Sequence, residues 1–117
     1  MTDQSIPIIN HYVALIKLEF NNESSVFIEK IAQGLIKDLN LNVVKKITHT
    51  FHPEGMTFAF ILSESHLLIH TWPELDVIHI DLVTCSYCSR KEFENSLKVL
   101  LSKRKVKSIK IKSINFN

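Results

Sequence analysis

The sequence predicts an α+β fold: a two-layer sandwich in which an antiparallel sheet carries two helices packed on one face. Three observations carry this reading. Apolar residues alternate at period two in several short runs. They recur at helical spacing in two longer runs. The middle of the chain has connections of hairpin length, giving the order strand, helix, several strands, helix, strand. A length of 117 residues suits one domain, expected to span 1–117.

His11 to Phe20 reads as the first strand, with Tyr12, Ala14, Ile16 and Leu18 on one face. Asn21, Asn22, Glu23, Ser24 and Ser25 form a polar turn rich in helix-capping residues. The first helix is expected from about Val26 to Leu39, with Phe27, Ile28, Ile31, Ala32, Leu35, Ile36 and Leu39 as its stripe. Gly34 lies inside it, at a cost in helix propensity that implies close packing, and Asn40 is a plausible end. Leu41 to Phe51 is β-branched and strand-like, and His52-Pro53-Glu54-Gly55 is a turn. Met56 to Ser63 is apolar on both faces, the pattern of a strand covered on both sides.

His66 to Trp72 is a further strand, closed by Pro73-Glu74. In Asp76 to Cys85, Ile78, Ile80 and Leu82 face one way and His79, Asp81, Val83 and Cys85 the other. Ser89-Arg90-Lys91-Glu92 fits a capping box, opening a helix that buries Phe93, Leu97, Leu100 and Leu101. Lys103-Arg104-Lys105 suits the negative end of that helix. In the last strand Ile109 and Ile111 alternate with Lys110 and Lys112, which protect an edge. With both helices on one face, the other needs cover, which a homodimer would supply.

Composition narrows the function classes. The chain is 45% hydrophobic and 22% charged, hence globular rather than disordered. A formal charge of +2 gives no general pull toward nucleic acid or membrane, and the Lys-rich end lacks the aromatic or Gly-rich partners of a nucleic-acid patch. The opening residues carry no positive signal region and the apolar runs are short, so a soluble cytoplasmic protein is expected. Two cysteines are too few for a disulfide framework.

Reactive side chains concentrate in Leu62-Ser63-Glu64-Ser65-His66-Leu67-Leu68-Ile69-His70-Thr71-Trp72-Pro73-Glu74. No metal site is expected. His66 and His70 are four residues apart, about 13 Å along a strand, too far to share an ion. The pair Cys85 and Cys88 lacks a second pair at zinc-ribbon spacing, and no βαβ pattern supports redox use. Cys88 alone reads as a small residue at a strand-to-helix turn. Ser65 and His70 sketch part of a hydrolase triad, but there is no Gly-x-Ser-x-Gly elbow. Periodicity alone leaves open whether Ser65 and His66 are reactive or merely hydrogen-bonded bend residues.

The wording of the motif goes further. Glu64-Ser65-His66-Leu67-Leu68-Ile69-His70-Thr71-Trp72-Pro73-Glu74, followed by Asp81-Leu82-Val83-Thr84-Cys85, resembles the prokaryotic S-adenosylmethionine decarboxylase proenzymes, which are self-cleaving and pyruvoyl-dependent. Phe51-x-Pro53-x-Gly55-x-Thr57 also resembles that family's turn, whereas Ser86 stands where the family usually has Gly after the cysteine. The resemblance implies that Ser65 attacks the Glu64 carbonyl and the chain parts into fragments 1–64 and 65–117. A covalent pyruvoyl group made from Ser65 is then the cofactor, a ketone that condenses with the substrate amine and serves as an electron sink for decarboxylation.

By the same resemblance, His70 accepts a proton during processing, a task suited to its ordinary pKa, and Thr57 assists it. Cys85 is the proton donor in catalysis. Phe51 stacks on the adenine, Glu74 holds the ribose hydroxyls, and Glu64 contacts substrate once cleaved. The implied substrate is S-adenosylmethionine, whose product serves polyamine synthesis, with the site shared across a homodimer. Two alternatives stand beside this: a pyruvoyl enzyme acting on arginine or ornithine, and an uncut homologue serving as a regulatory subunit.

Overall fold

A computed structural model describes residues 6–19 and 25–116. The strands are β1 (Asn10–Leu18), β2 (Val43–Thr50), β3 (Met56–Leu62), β4 (Ser65–Trp72), β5 (Val77–Thr84) and β6 (Val106–Ile114). The helices are α1 (Ser25–Asp38) and α2 (Arg90–Leu100), and a short 3-10 segment spans Pro73–Leu75. Phe20, expected to end the first strand, and Asn21 to Ser24 of the expected polar turn lie outside the described residues, while Ser25, the last residue of that turn, opens α1 instead.

All six strands form one antiparallel sheet in the order β2-β3-β4-β5-β1-β6. The expected α+β sandwich is therefore what the chain forms. Strand alternation sets the two faces. Tyr12, Ala14, Ile16 and Leu18 of β1 are buried, as are Phe58, Phe60 and Leu62 of β3, Leu67 and Ile69 of β4, and Ile78, Ile80 and Leu82 of β5. They join Phe27, Ile28, Ile31, Ala32 and Leu35 of α1 and Phe93 and Leu97 of α2 in one core. Among the described residues nothing layers over the opposite face, because both helices use the same side. β3 was expected to be covered on both faces; instead Ile61, on the open side, is 44% exposed.

Local signals act as read. Asn40 takes the left-handed conformation with φ 54°, and the Leu41 N–H closes on the Ile36 carbonyl at 2.9 Å, ending α1. Ser89 caps α2 by accepting the Glu92 N–H at 3.1 Å. Gly34 lets the helices touch: a Cβ there would stand 2.3 Å from Leu100 Cδ2. Leu100, expected in the core, is half-buried over that glycine.

The basic run differs from expectation. α2 stops at Leu100, so Lys103-Arg104-Lys105 lies past its last turn, which holds Lys98 instead. Lys98 pairs with Glu94 at 3.0 Å. Arg104 lies over the Phe27 ring at 4.0 Å, tying the turn after α2 to α1. β2 is a bare edge strand whose residues are all exposed, and Lys46 reaches Glu29 of α1 in an ion pair.

Candidate active site

The reactive stretch folds as the β3–β4 hairpin. Leu62 pairs with Ser65, so Ser63 and Glu64 are the two turn residues. Closing so short a turn puts Glu64 in the left-handed region with φ 61°, which costs an L-residue about 1 kcal/mol or more. Asn42, just before β2, grips the turn twice. Its carbonyl accepts the Ser63 N–H at 3.1 Å and its amide donates to Ser63 Oγ at 2.7 Å. Ser65 Oγ donates to the Ser63 carbonyl at 3.3 Å.

β5 brings the second reactive group. Its register carries Cys85 just past the strand end beside the turn, where the Cys85 thiol donates to the Glu64 carbonyl oxygen at 3.0 Å. The Asn10 amide fixes this corner by donating to the Ser86 carbonyl at 2.7 Å and to Thr84 Oγ1 at 3.3 Å. A cleft of about 230 Å³ opens here, lined by Asn42, Ser63, Glu64, Ser65, Cys85 and Ser86 among others. A thiol hydrogen-bonded to a carbonyl oxygen polarises that carbonyl and supports negative charge arriving on it. The next residue along, Ser65, carries a hydroxyl.

The two cysteines separate cleanly. Cys88 is buried, its carbonyl accepts the Tyr12 hydroxyl at 2.6 Å, and burial, helped by Glu92, pushes its thiol up to about 11. Cys88 is thus a protonated structural residue at neutral pH. Cys85 is half-buried and borders the cleft.

A different pair forms on the open face. Thr57 and His70 are direct partners across β3 and β4, with Oγ1 and Nδ1 2.9 Å apart. His79 stands opposite His70 on β5, the ring centres 6.2 Å apart. Burial and then His79 lower the His70 pKa, against a weaker pull from Asp81, so the imidazole stays neutral and able to accept a proton. Phe51 and Glu74 belong to this end. Phe51, exposed, sits in the β2–β3 turn, where its N–H closes on the Gly55 carbonyl at 2.8 Å and its ring meets His49 edge-on at 4.5 Å. Gly55 takes φ 105° there. Glu74, also exposed, lies in the 3-10 segment after β4.

Within one chain, then, the structure joins Cys85 to Glu64 and Thr57 to His70, but not the two groups to each other. Ser65 opens β4 and His70 lies five residues further along it, about 16 Å by strand rise. Among the described residues no three His, Cys, Asp or Glu side chains converge as a metal site requires.

Two features escaped the sequence reading. The Asn42 grip has no motif; only the β2–β3 register reveals it. Asp81 accepts from His11 Nε2 at 2.5 Å and from His66 Nε2 at 3.1 Å. Burial pushes the Asp81 pKa up, but these two hydrogen bonds and the histidines' charge outweigh it, leaving the carboxyl below its ordinary value. An ionised carboxylate only accepts, so both Nε2 atoms carry hydrogen.

Comparison with known proteins gives the family. The family model for S-adenosylmethionine decarboxylase matches residues 18–114. An S-adenosylmethionine decarboxylase proenzyme of Clostridium botulinum strain Langeland is 46% identical over 71 residues, covering 59% of this chain and 61% of that protein. The proenzyme of Persephonella marina is 38% identical over 79 residues, covering 66% and 59%. The match thus spans about three fifths of the length of these relatives. The crystal structure of the adenosylmethionine decarboxylase from Aquifex aeolicus VF5 superposes with a TM-score of 0.74 at 22% identity, covering 92% of this chain and 89% of that one, and so shares the fold. Since the family match takes in every strand from the end of β1 to β6, both helices, the hairpin and Cys85, the chain belongs to the S-adenosylmethionine decarboxylase family.

Proposed function

We propose that this chain is a proenzyme that cuts itself between Glu64 and Ser65 and then decarboxylates S-adenosylmethionine, yielding the aminopropyl donor of polyamine synthesis in the cytoplasm. The observation that carries the reading is the Cys85 thiol on the Glu64 carbonyl oxygen at 3.0 Å, at a turn residue held in the left-handed conformation. That the relatives are known as proenzymes supports it.

Cutting starts when Ser65 Oγ attacks the Glu64 carbonyl carbon. The Cys85 thiol supports the oxygen as it gains charge. The amide becomes an ester, freeing the Ser65 nitrogen. His70, neutral and held by Thr57, removes the Ser65 α-proton. The ester C–O bond then breaks, Glu64 leaves as a carboxylate, and residue 65 becomes a dehydroalanine that takes up water and loses ammonia.

The pyruvoyl group so formed supplies, when present, a ketone that draws electrons from the substrate carbon. Around it the residues of this chain have separate tasks. Phe51, exposed at its turn, offers a face for the adenine. Glu74 offers a carboxylate to the ribose hydroxyls, and Glu64, once free, a second carboxylate to the substrate. Cys85 returns a proton to the substrate carbon after carbon dioxide departs.

A homodimer joins the separated halves in this reading. His70 is about 16 Å from Ser65 in its own chain, too far to touch it. The open face between them exposes Leu15, Ile47 and Ile61, at 45, 49 and 44%, so a second copy docking there has apolar surface to bury. It would bring its Thr57–His70 pair to the first copy's hairpin.

Intact mass of purified protein tests the proposal. Two fragments ending and beginning at 64 and 65, absent in Ser65→Ala, are expected. A chain that stays whole would sink it. Release of carbon dioxide from arginine or ornithine, and none from S-adenosylmethionine, would overturn the substrate.

A further inference from the structure

The break between Glu64 and Ser65 frees the first residue of β4, and the sheet holds that residue poorly. Ser65 pairs with Leu62 of β3, but pairing with β5 begins only at His66, opposite Val83. His66 is therefore the first residue of the new fragment flanked by strands on both sides. It also carries a side-chain anchor that the cutting chemistry does not use. His66 Nε2 reaches Asp81 Oδ2 at 3.1 Å, and the other oxygen, Oδ1, takes His11 Nε2 at 2.5 Å.

Register explains the arrangement. His66 and His11 both pair with Val83, one from each side of β5. Asp81 is the next residue of β5 on the same face, so both imidazoles lean diagonally onto one carboxylate. The group is partly screened from water, with the side chains of His11 and Asp81 21% and 20% exposed and that of His66 39%. A carboxylate with a donor on each oxygen fixes both rings better than either pair alone.

We propose that His11, Asp81 and His66 form a clip that holds the new N-terminus of the 65–117 fragment in place after the chain is cut. The clip rests on the self-cutting reading and deepens it. It crosses the cut, since His11 lies in the 1–64 fragment and the other two in 65–117. Before the break, the turn itself restrains Ser65, so the clip adds little to cutting. Afterwards position 65 hangs from His66, and every displacement of that backbone moves the reacting ketone relative to Cys85. His66 and Asp81 are thus positioning residues for decarboxylation.

The test compares wild type with His66→Ala, Asp81→Asn and His66→Gln, all as purified full chains. Cleavage is followed by intact mass, the carbonyl by borohydride reduction, and turnover by carbon dioxide release from S-adenosylmethionine. The expected result is equal cleavage and equal carbonyl in all four. For His66→Ala and Asp81→Asn, kcat falls about tenfold or more while KM changes by less than about threefold. His66→Gln, whose side-chain amide still donates, recovers most of the loss. His66→Ala, at a half-exposed position, keeps the test alive if Asp81→Asn does not fold. Unchanged kcat, a loss confined to KM, or build-up of uncut precursor each overturns the clip. A wild-type chain that never cuts removes the underlying reading and the clip together; a cut wild type with indifferent variants removes the clip alone.

Discussion

Removing the Cys85 thiol should slow cutting, and the structure sets how much. The thiol lies 3.0 Å from the Glu64 carbonyl oxygen. A neutral hydrogen bond to such a carbonyl contributes about 1 kcal/mol net. As Ser65 adds, the oxygen gains charge, and a charge-assisted bond is about twice as strong. Only the difference between the two states accelerates the step, about 1 kcal/mol. Thiols donate weakly, but this one acts at the atom where charge develops. At 1.36 kcal/mol per decade, Cys85→Ala should cut about fivefold more slowly. Water in the open cleft restores only part of this support, being less well placed than the fixed thiol, so the value is a ceiling for a simple polarising role. Cys85→Ser retains a donor on a shorter bond and should fall between. The assay is the fraction of uncut chain against time after synthesis, read by denaturing electrophoresis. It is independent of turnover, so any role of Cys85 in decarboxylation leaves it untouched. Cys85→Ala cutting at the wild-type rate would refute the reasoning.

Three further predictions follow from local geometry. If His70 accepts the proton as proposed, the cutting rate falls as pH drops through the His70 pKa; burial and then His79 lower that pKa from the ordinary 6.5, so the acid half-point should lie below that value. A half-point above that value in a pH-jump experiment contradicts the assignment. Gly34→Ala gains about 1 kcal/mol of helix propensity but drives a Cβ to 2.3 Å from Leu100, an overpacking cost of about 1–3 kcal/mol. Net loss of about 1 kcal/mol should appear as a lower Tm, and Leu100→Ala in the same chain should relieve the clash; independent, additive losses would count against it. After cutting, the two fragments should co-elute under native conditions, because β1 of 1–64 lies between β5 and β6 of 65–117. Separation without denaturant would show that the sheet does not hold them.

Local features of this fold were legible because local residues determine them. The Ser89 cap, the Asn40 stop and the tight helix contact at Gly34 each depend on a few neighbours, and each was readable. Sheet order was not, since placing β1 between β5 and β6 depends on pairings that no periodicity encodes. That step decides what Asp81 touches. Alternation put Asp81 on the face of Cys85, but His11, 70 residues earlier, could be assigned to it only once β1 was known to lie beside β5. The basic run misled because a charge cluster after a helix suits its dipole, whereas Arg104 instead finds the face of Phe27. The motif from Glu64 to Glu74 reads as one unit along the chain. In space it is a strand with one reactive group at each end.

That separation has a physical logic if cutting is the function. The bond to be broken lies where the two-residue turn meets β4, so its loss removes a tether and affects only the end pair of the β3–β4 ladder, Leu62 with Ser65. Breaking it also releases Glu64 from the left-handed conformation, relieving about 1 kcal/mol or more. The base sits differently. His70 lies between β3 and β5, bonded to Thr57 on one side and facing His79 on the other, where its orientation and neutral state are secured. A base held this firmly cannot swing across about 16 Å to its own Ser65. Under the dimer reading this makes cutting conditional on assembly. A lone chain would keep its peptide intact while it folds. The proton acceptor would reach the turn only when a second open face closed over the first, when the apolar surface needed to hold the product is also in place.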